Sequence, residues 1–169
     1  MSIVSVVGNP RPNSRTHRLA ETLAAAVADA TGVGETEIVD LAQLGPAVLD
    51  FADPEAARAT GQVLAADILV VASPTYKATY SGLLKAFLDR IGGGALNGTP
   101  AVPVLLGGAP NHLLAVDVHF TPLLRELGAR VPAGGLFVLE SQLDEFPATA
   151  TAWAERNARF LAPPGVNGT

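Results

Sequence analysis

The chain contains no cysteine among its 169 residues. That removes disulfides, thiolate nucleophiles, and cysteine-held zinc or iron–sulfur centres from consideration. Aromatic residues are scarce at 5%, with one tryptophan and two tyrosines, so each can be placed individually. Charged residues are only 16%, and the 11 lysines and arginines are outnumbered by 16 aspartates and glutamates, a net charge of −5. A nucleic-acid backbone needs clustered cations, so nucleic acid is not expected as a partner. No apolar run approaches the roughly 18 residues of a membrane span, so no membrane partner is expected. The start, MSIVSVVGNPRP, has no basic segment ahead of a brief apolar run that stops at Gly8 and Pro10, unlike a secretory signal. The expected compartment is the cytoplasm.

What is present is apolar. Hydrophobic residues make up 49% of the chain, against the low hydrophobicity and high charge of disorder. The length suits one domain with a substantial core, expected over residues 1–162, with PPGVNGT (163–169) as a frayed tail. Five apolar runs stand out, at 3–7, 37–41, 68–72, 102–106 and 135–139. All but the second are near-continuous and rich in β-branched residues, as in strands covered on both faces. The second, more polar, suits an edge strand.

Helical patterns fall between and after these runs, at 16–30, 54–66, 81–91, 111–127 and 149–161. Asp53 followed by Pro54 is a cap and first-turn pair, and Gly128 is a stop signal. Strand and helix alternating five times predict an α/β three-layer sandwich with a five-stranded parallel sheet in the order 2-1-3-4-5. Ligands of such sheets bind at the carboxyl ends of the strands, near the switch point. Function is therefore sought in the loops after residues 7, 72 and 106.

The first of these loops, GNPRPNSRT (8–16), opens a helix, whose free amides and positive dipole end suit an anion. Ser14 and Thr16 add hydroxyls and Arg11 and Arg15 add charge, a set suited to one phosphate. The loop is neither a Walker A motif nor GxGxxG. The competing reading is a plain strand–helix turn with Ser14 as the cap. The second loop, SPTYKATYSG (73–82), holds both tyrosines, and its Pro74, Thr75, Tyr76 and Lys77 can line a flat ligand. The plainer alternative packs Tyr80 on the following helix. In the third loop, Gly107 and Gly108 permit close backbone approach, and His112 either bonds a ligand edge or caps a helix. His17 and His119 read as helix-surface residues and Trp153 as core. No metal site and no protein nucleophile are expected.

The motifs GNPRPNSRT, SPTYKATYSGLLKAFLD and GGAPNHLLAVD together resemble the NADPH-dependent FMN reductase family of the flavodoxin-like fold, and most of all the reductases serving sulfonate-desulfonating monooxygenases. The resemblance covers residues 1 to 160 or so. It implies that Ser14, Arg15 and Thr16, with Arg11 nearby, hold the FMN phosphate. Pro74, Thr75, Tyr76 and Lys77 then run along the isoalloxazine ring, and Gly107, Gly108 and His112 close the other side. It further implies hydride transfer from NADPH or NADH to FMN, delivery of reduced flavin to a flavin-dependent monooxygenase, and assembly as a homodimer or homotetramer. The other readings are an FMN-retaining reductase of quinones, azo or nitro compounds or metal oxyanions, and a flavodoxin-type electron carrier.

In the sulfonate-linked group the helix bearing HLLAVD carries a tyrosine or histidine after the aspartate, forming a π-bulge at a tetramer contact. Here Val118 holds that position, followed by His119, and Pro122 permits a kink or bulge. The mostly apolar circumference of 111–127 points to an oligomer contact.

Overall fold

The computed structural model describes residues 1–162. The tail expected at 163–169 lies outside them. The strands are β1 (Ser2–Val7), β2 (Glu35–Asp40), β3 (Ile68–Pro74), β4 (Ala101–Gly107) and β5 (Leu136–Leu139). They form one sheet in the order β2-β1-β3-β4-β5, with every neighbouring pair parallel. The flavodoxin-like topology expected from the alternation of elements is the one found.

The buried runs explain this order. β3 and β4 are fully buried along their length and β1 nearly so, while β2 exposes its first three residues at the sheet edge. On one face α1 (Arg15–Thr31) and α6 (Phe146–Leu161) pack together over Ile3, Val7, Ile68, Val70, Val102 and Val104. Trp153, 8% exposed, belongs to this core as expected. On the other face α3 (Pro54–Leu64), α4 (Gly82–Leu88) and α5 (Thr121–Glu126) cover Val4, Val6, Leu69, Val71 and Leu105. The alternating strand faces thus feed two separate apolar layers.

Several boundaries differ from the sequence expectation. The second strand spans 35–40 rather than 37–41, because the Asp40 carboxylate accepts from Ala42 N–H at 3.1 Å and opens a short helix, α2 (Leu41–Leu44). A 3₁₀ turn, Gly45–Leu49, follows it and was not foreseen. The last helix begins at Phe146 with Pro147 in its first turn, ahead of the expected 149.

The expected helix 111–127 is broken. It consists of a 3₁₀ turn at Pro110–His112, a π-helical stretch at Val116–Phe120, and α5. The cause is local: Thr121 N–H reaches back five residues to the Val116 carbonyl, and Pro122 has no N–H to continue the α pattern. The bulge therefore forms with Val118 where the resembling group carries an aromatic.

Candidate active site

The loops after β1 and β3 meet at the carboxyl end of the sheet. Gly8 makes their approach possible, since a Cβ there would lie 2.6 Å from Leu84 Cβ on α4. Ser81, 2% exposed, locks the two loops together. Its hydroxyl donates to the Gly8 carbonyl and accepts from Leu84 N–H at 3.1 Å, capping α4. Its own N–H donates to the buried Ser73 hydroxyl at 2.9 Å, which in turn donates to the Pro74 carbonyl at 2.8 Å. At the strand end, Thr75 N–H donates to Leu106 O at 2.8 Å, tying the second loop to β4.

The first loop is ordered by Asn9, which is 8% exposed. Its side chain accepts from Arg11 N–H at 2.9 Å and donates to Thr16 Oγ1 at 3.0 Å. Thr16 is therefore an acceptor within the loop whose hydroxyl proton remains for a ligand. Asn13 takes a left-handed φ of 52°, the turn that delivers Ser14 as the α1 cap, with Ser14 Oγ accepting from His17 N–H at 3.1 Å. The Arg15 and Thr16 amides precede the first α-helical bond, Arg18 N–H to Ser14 O, and meet no acceptor among the described residues. Ser14 thus does serve as the cap, and the two amides beside it stay available to an anion.

Asn9, Arg11, Ser14, Arg15, Thr16, Pro74, Tyr76 and Leu106 surround one cavity of about 420 Å³, within the size range of small-molecule sites. Six of the residues expected at the site are therefore brought together. Thr75 stands beside them, and its hydroxyl is buried with no partner among the described residues. Ser5 Oγ, Arg90 Nε and Thr121 Oγ1 are unpaired in the same way, but of the four only the Thr75 hydroxyl belongs to a ligand loop.

Lys77 and Ala78 form the tip of a tight turn. Tyr76 N–H donates to Thr79 O at 2.8 Å and Thr79 N–H returns to Tyr76 O at 3.2 Å. Both central residues have positive φ, 52° and 66°, the geometry of a type I′ turn normally given to Asn-Gly. Two non-glycine residues in the left-handed region are strained, and such strain gathers at functional loops. Tyr76 is left 45% exposed, with its ring free to meet a planar ligand. Tyr80 instead packs on Phe120 of the π-helical stretch, ring centroids 5.3 Å apart, where the plainer reading had set it on the start of the following helix.

The third loop is less closely engaged. Gly107 has a packing reason, since a Cβ there would lie 2.4 Å from Phe137 Cζ. At Gly108 a Cβ would meet open space. His112 does not line the main cavity. It borders a shallower one of about 200 Å³ with Ala78, Asn111, Val118 and His119. His17 is no simple surface residue: its ring lies between the Asp40 carboxylate at 3.1 Å and Glu21 at 3.5 Å, with its side chain 18% exposed.

Sequence reasoning missed Asn9, Ser73, Ser81 and Glu140. Asn9 and the two serines sit inside or beside the quoted motifs, where a small polar residue at a loop hinge was the available signal. Glu140, which also lines the cavity and pairs with Arg15 at 2.9 Å, had none, because it lies beyond β5, far from the motifs.

The doubly wound sheet, with the free α1 amides opening on a cavity at its switch point, is the flavodoxin-like arrangement. The chain belongs to the NADPH-dependent FMN reductase family, whose model matches residues 1–144. It is similar to the FMN reductase (NADPH) of Escherichia coli K12, 36% identical over 151 residues, covering 86% of this chain and 77% of that protein. It is also similar to the NADH-dependent FMN reductase SfnF of Pseudomonas putida, 30% identical over 164 residues, covering 94% and 88%. Among solved structures, the apo form of the NADH:FMN oxidoreductase EmoB superposes with a TM-score of 0.83 at 33% identity, covering 98% of this chain and 92% of that one. The protein is thus an NAD(P)H:FMN oxidoreductase, with FMN and a reduced nicotinamide as its cofactors.

Proposed function

We propose that the cavity at the start of α1 receives the FMN phosphate, that the ring lies along 74–77, and that the flavin is exchanged after reduction rather than kept. The observation that carries this reading is the convergence of two free α1 amides, the Ser14 and Thr16 hydroxyls and two arginines on a single cavity. Bound FMN supplies a two-electron acceptor for the nicotinamide hydride.

The chain's part is binding and orientation. Asn9 holds the Thr16 hydroxyl toward the phosphate, and Ser14 fixes the amides. The Thr75 hydroxyl and the rigid turn at Lys77 and Ala78 set the ring plane, and the Gly108 amide offers a donor to the negative charge that builds at the ring's pyrimidine edge. Gly107 serves the same end indirectly, by letting Phe137 buttress β4. His112 closes the outer side only if the Pro110–His112 turn swings inward. Arg11, Arg15 and Lys77 are the cations available to a nicotinamide 2′-phosphate.

The reduced flavin passes to a separate flavin-dependent monooxygenase, a role that follows if the flavin is exchanged after reduction. Reliance on reduced nicotinamides supports a cytoplasmic location. Leu113 and Leu114, just ahead of the π-helix, and Val118 within it, 51%, 64% and 61% exposed, support assembly into a homodimer or homotetramer through this segment. Among the described residues no helix is long and apolar enough to cross a membrane.

Steady-state oxidation of NADPH and of NADH, with and without added FMN, tests the reading. Turnover should require added FMN and saturate with it. A yellow protein that oxidises nicotinamide without added flavin, and passes electrons to a quinone or azo dye, would replace this reading with that of a flavin-retaining reductase.

A further inference from the structure

The phosphate cavity contains a carboxylate. Glu140 follows β5 directly and opens the 3₁₀ turn Glu140–Gln142, where Leu139 N–H donates to Gln142 Oε1 at 3.3 Å. Its Oε2 lies 2.9 Å from Arg15 Nη1, and it lines the same cavity as Arg11, Ser14, Arg15 and Thr16. The two side chains are 37% and 53% exposed, so the pair contributes little to folding. Arg11, by contrast, has no acidic partner among the described residues. A cavity with two guanidinium groups therefore keeps one of them engaged by an internal anion.

We infer that Glu140 sets the affinity for the flavin phosphate by competing with it for Arg15, which loosens the nucleotide and favours its exchange. This rests on the phosphate being bound in this cavity, as proposed above. A phosphate monoester brings between one and two negative charges beside the carboxylate. Entry of the phosphate displaces Glu140 from Arg15, and the loss of that pair raises the free energy of the complex. A group meant to retain the nucleotide would be neutral or cationic here. A carboxylate whose only task were to tether β5 to α1 would influence stability and leave affinity untouched.

The test is calorimetric and fluorimetric titration of the full chain with FMN and with riboflavin, which lacks the phosphate. Glu140→Gln should tighten FMN by about 1.4- to fivefold, the span an exposed ion pair commands. The gain should appear as slower FMN release in stopped flow. Riboflavin affinity should stay unchanged, and in an Arg15→Gln background the second substitution should have no effect. An FMN affinity unaltered by Glu140→Gln, an equal gain for riboflavin, or a gain that survives without Arg15 would each overturn the inference while leaving the FMN site standing. Failure of the unmodified protein to take up FMN at all would instead remove the site itself.

Discussion

Replacing Ser81 with alanine removes the bond that joins the two ligand loops. Three consequences follow from its geometry. The α4 cap to Leu84 N–H is lost, at a cost of about 1 kcal/mol. The Gly8 carbonyl loses its buried hydroxyl donor, which adds about 1–3 kcal/mol because no water replaces it readily at a site only 2% exposed. The Ser81 N–H bond to Ser73 is a backbone donor and survives. The sum is about 2–4 kcal/mol of lost stability, or a melting temperature lower by roughly 4–16 °C for a domain of this size. Urea unfolding at constant m-value would measure it. FMN affinity should fall as well, since loop 8–16 is no longer pinned to loop 74–81. A loss below about 0.5 kcal/mol with unchanged FMN binding would refute the account of Ser81 as the tie between the loops.

Other substitutions probe separate parts of the site. Ala78→Gly relieves the positive φ at 66° and should stabilise the protein by about 0.5–1 kcal/mol in urea, while slackening the ring-side loop and raising the KM for FMN. Gly107→Ala forces a Cβ to within 2.4 Å of the Phe137 ring and should cost about 1–3 kcal/mol by thermal melt, with Phe137→Leu recovering much of it. Leu114→Asp places a charge on the exposed apolar segment beside the π-helix, and sedimentation should show a smaller species with FMN binding intact. The hydrogen bond to Asp89 holds the Lys85 ammonium above the usual lysine range, burial opposing it only weakly. The stabilisation from that pair is therefore fully present below the ordinary lysine pKa of 10.5 and is lost as pH rises through the elevated one. Lys85→Met should narrow the difference between urea midpoints at pH 8 and pH 11, by less than about 1 kcal/mol for so exposed a pair.

The strand order, the two apolar layers and the end of the sheet at which the cavity opens were legible in the chain, because they depend on periodicity and on the order of elements. Near-continuous β-branched runs suit strands covered on both faces, and helices alternating with them favour a parallel sheet with right-handed crossovers. Gly8, Ser14 and Thr16 are likewise local signals: a loop that opens a helix exposes amides whatever surrounds it. The break in 111–127 was only half legible. Pro122 announced an interruption, but the five-residue reach from Thr121 to Val116 belongs to the packed helix.

Tertiary structure alone decided which side chains share the cavity and what each is free to do. Sequence placed Arg15 among the phosphate ligands; only the return of β5 to the sheet edge set Glu140 against it. Likewise Gly107 looked like an approach site for a ligand until Phe137 was found packed over it from the neighbouring strand. Local pattern fixes backbone geometry because it acts over a few residues. Competition between charges and contacts across strands is set by where distant segments come to rest, and no spacing within the chain records that.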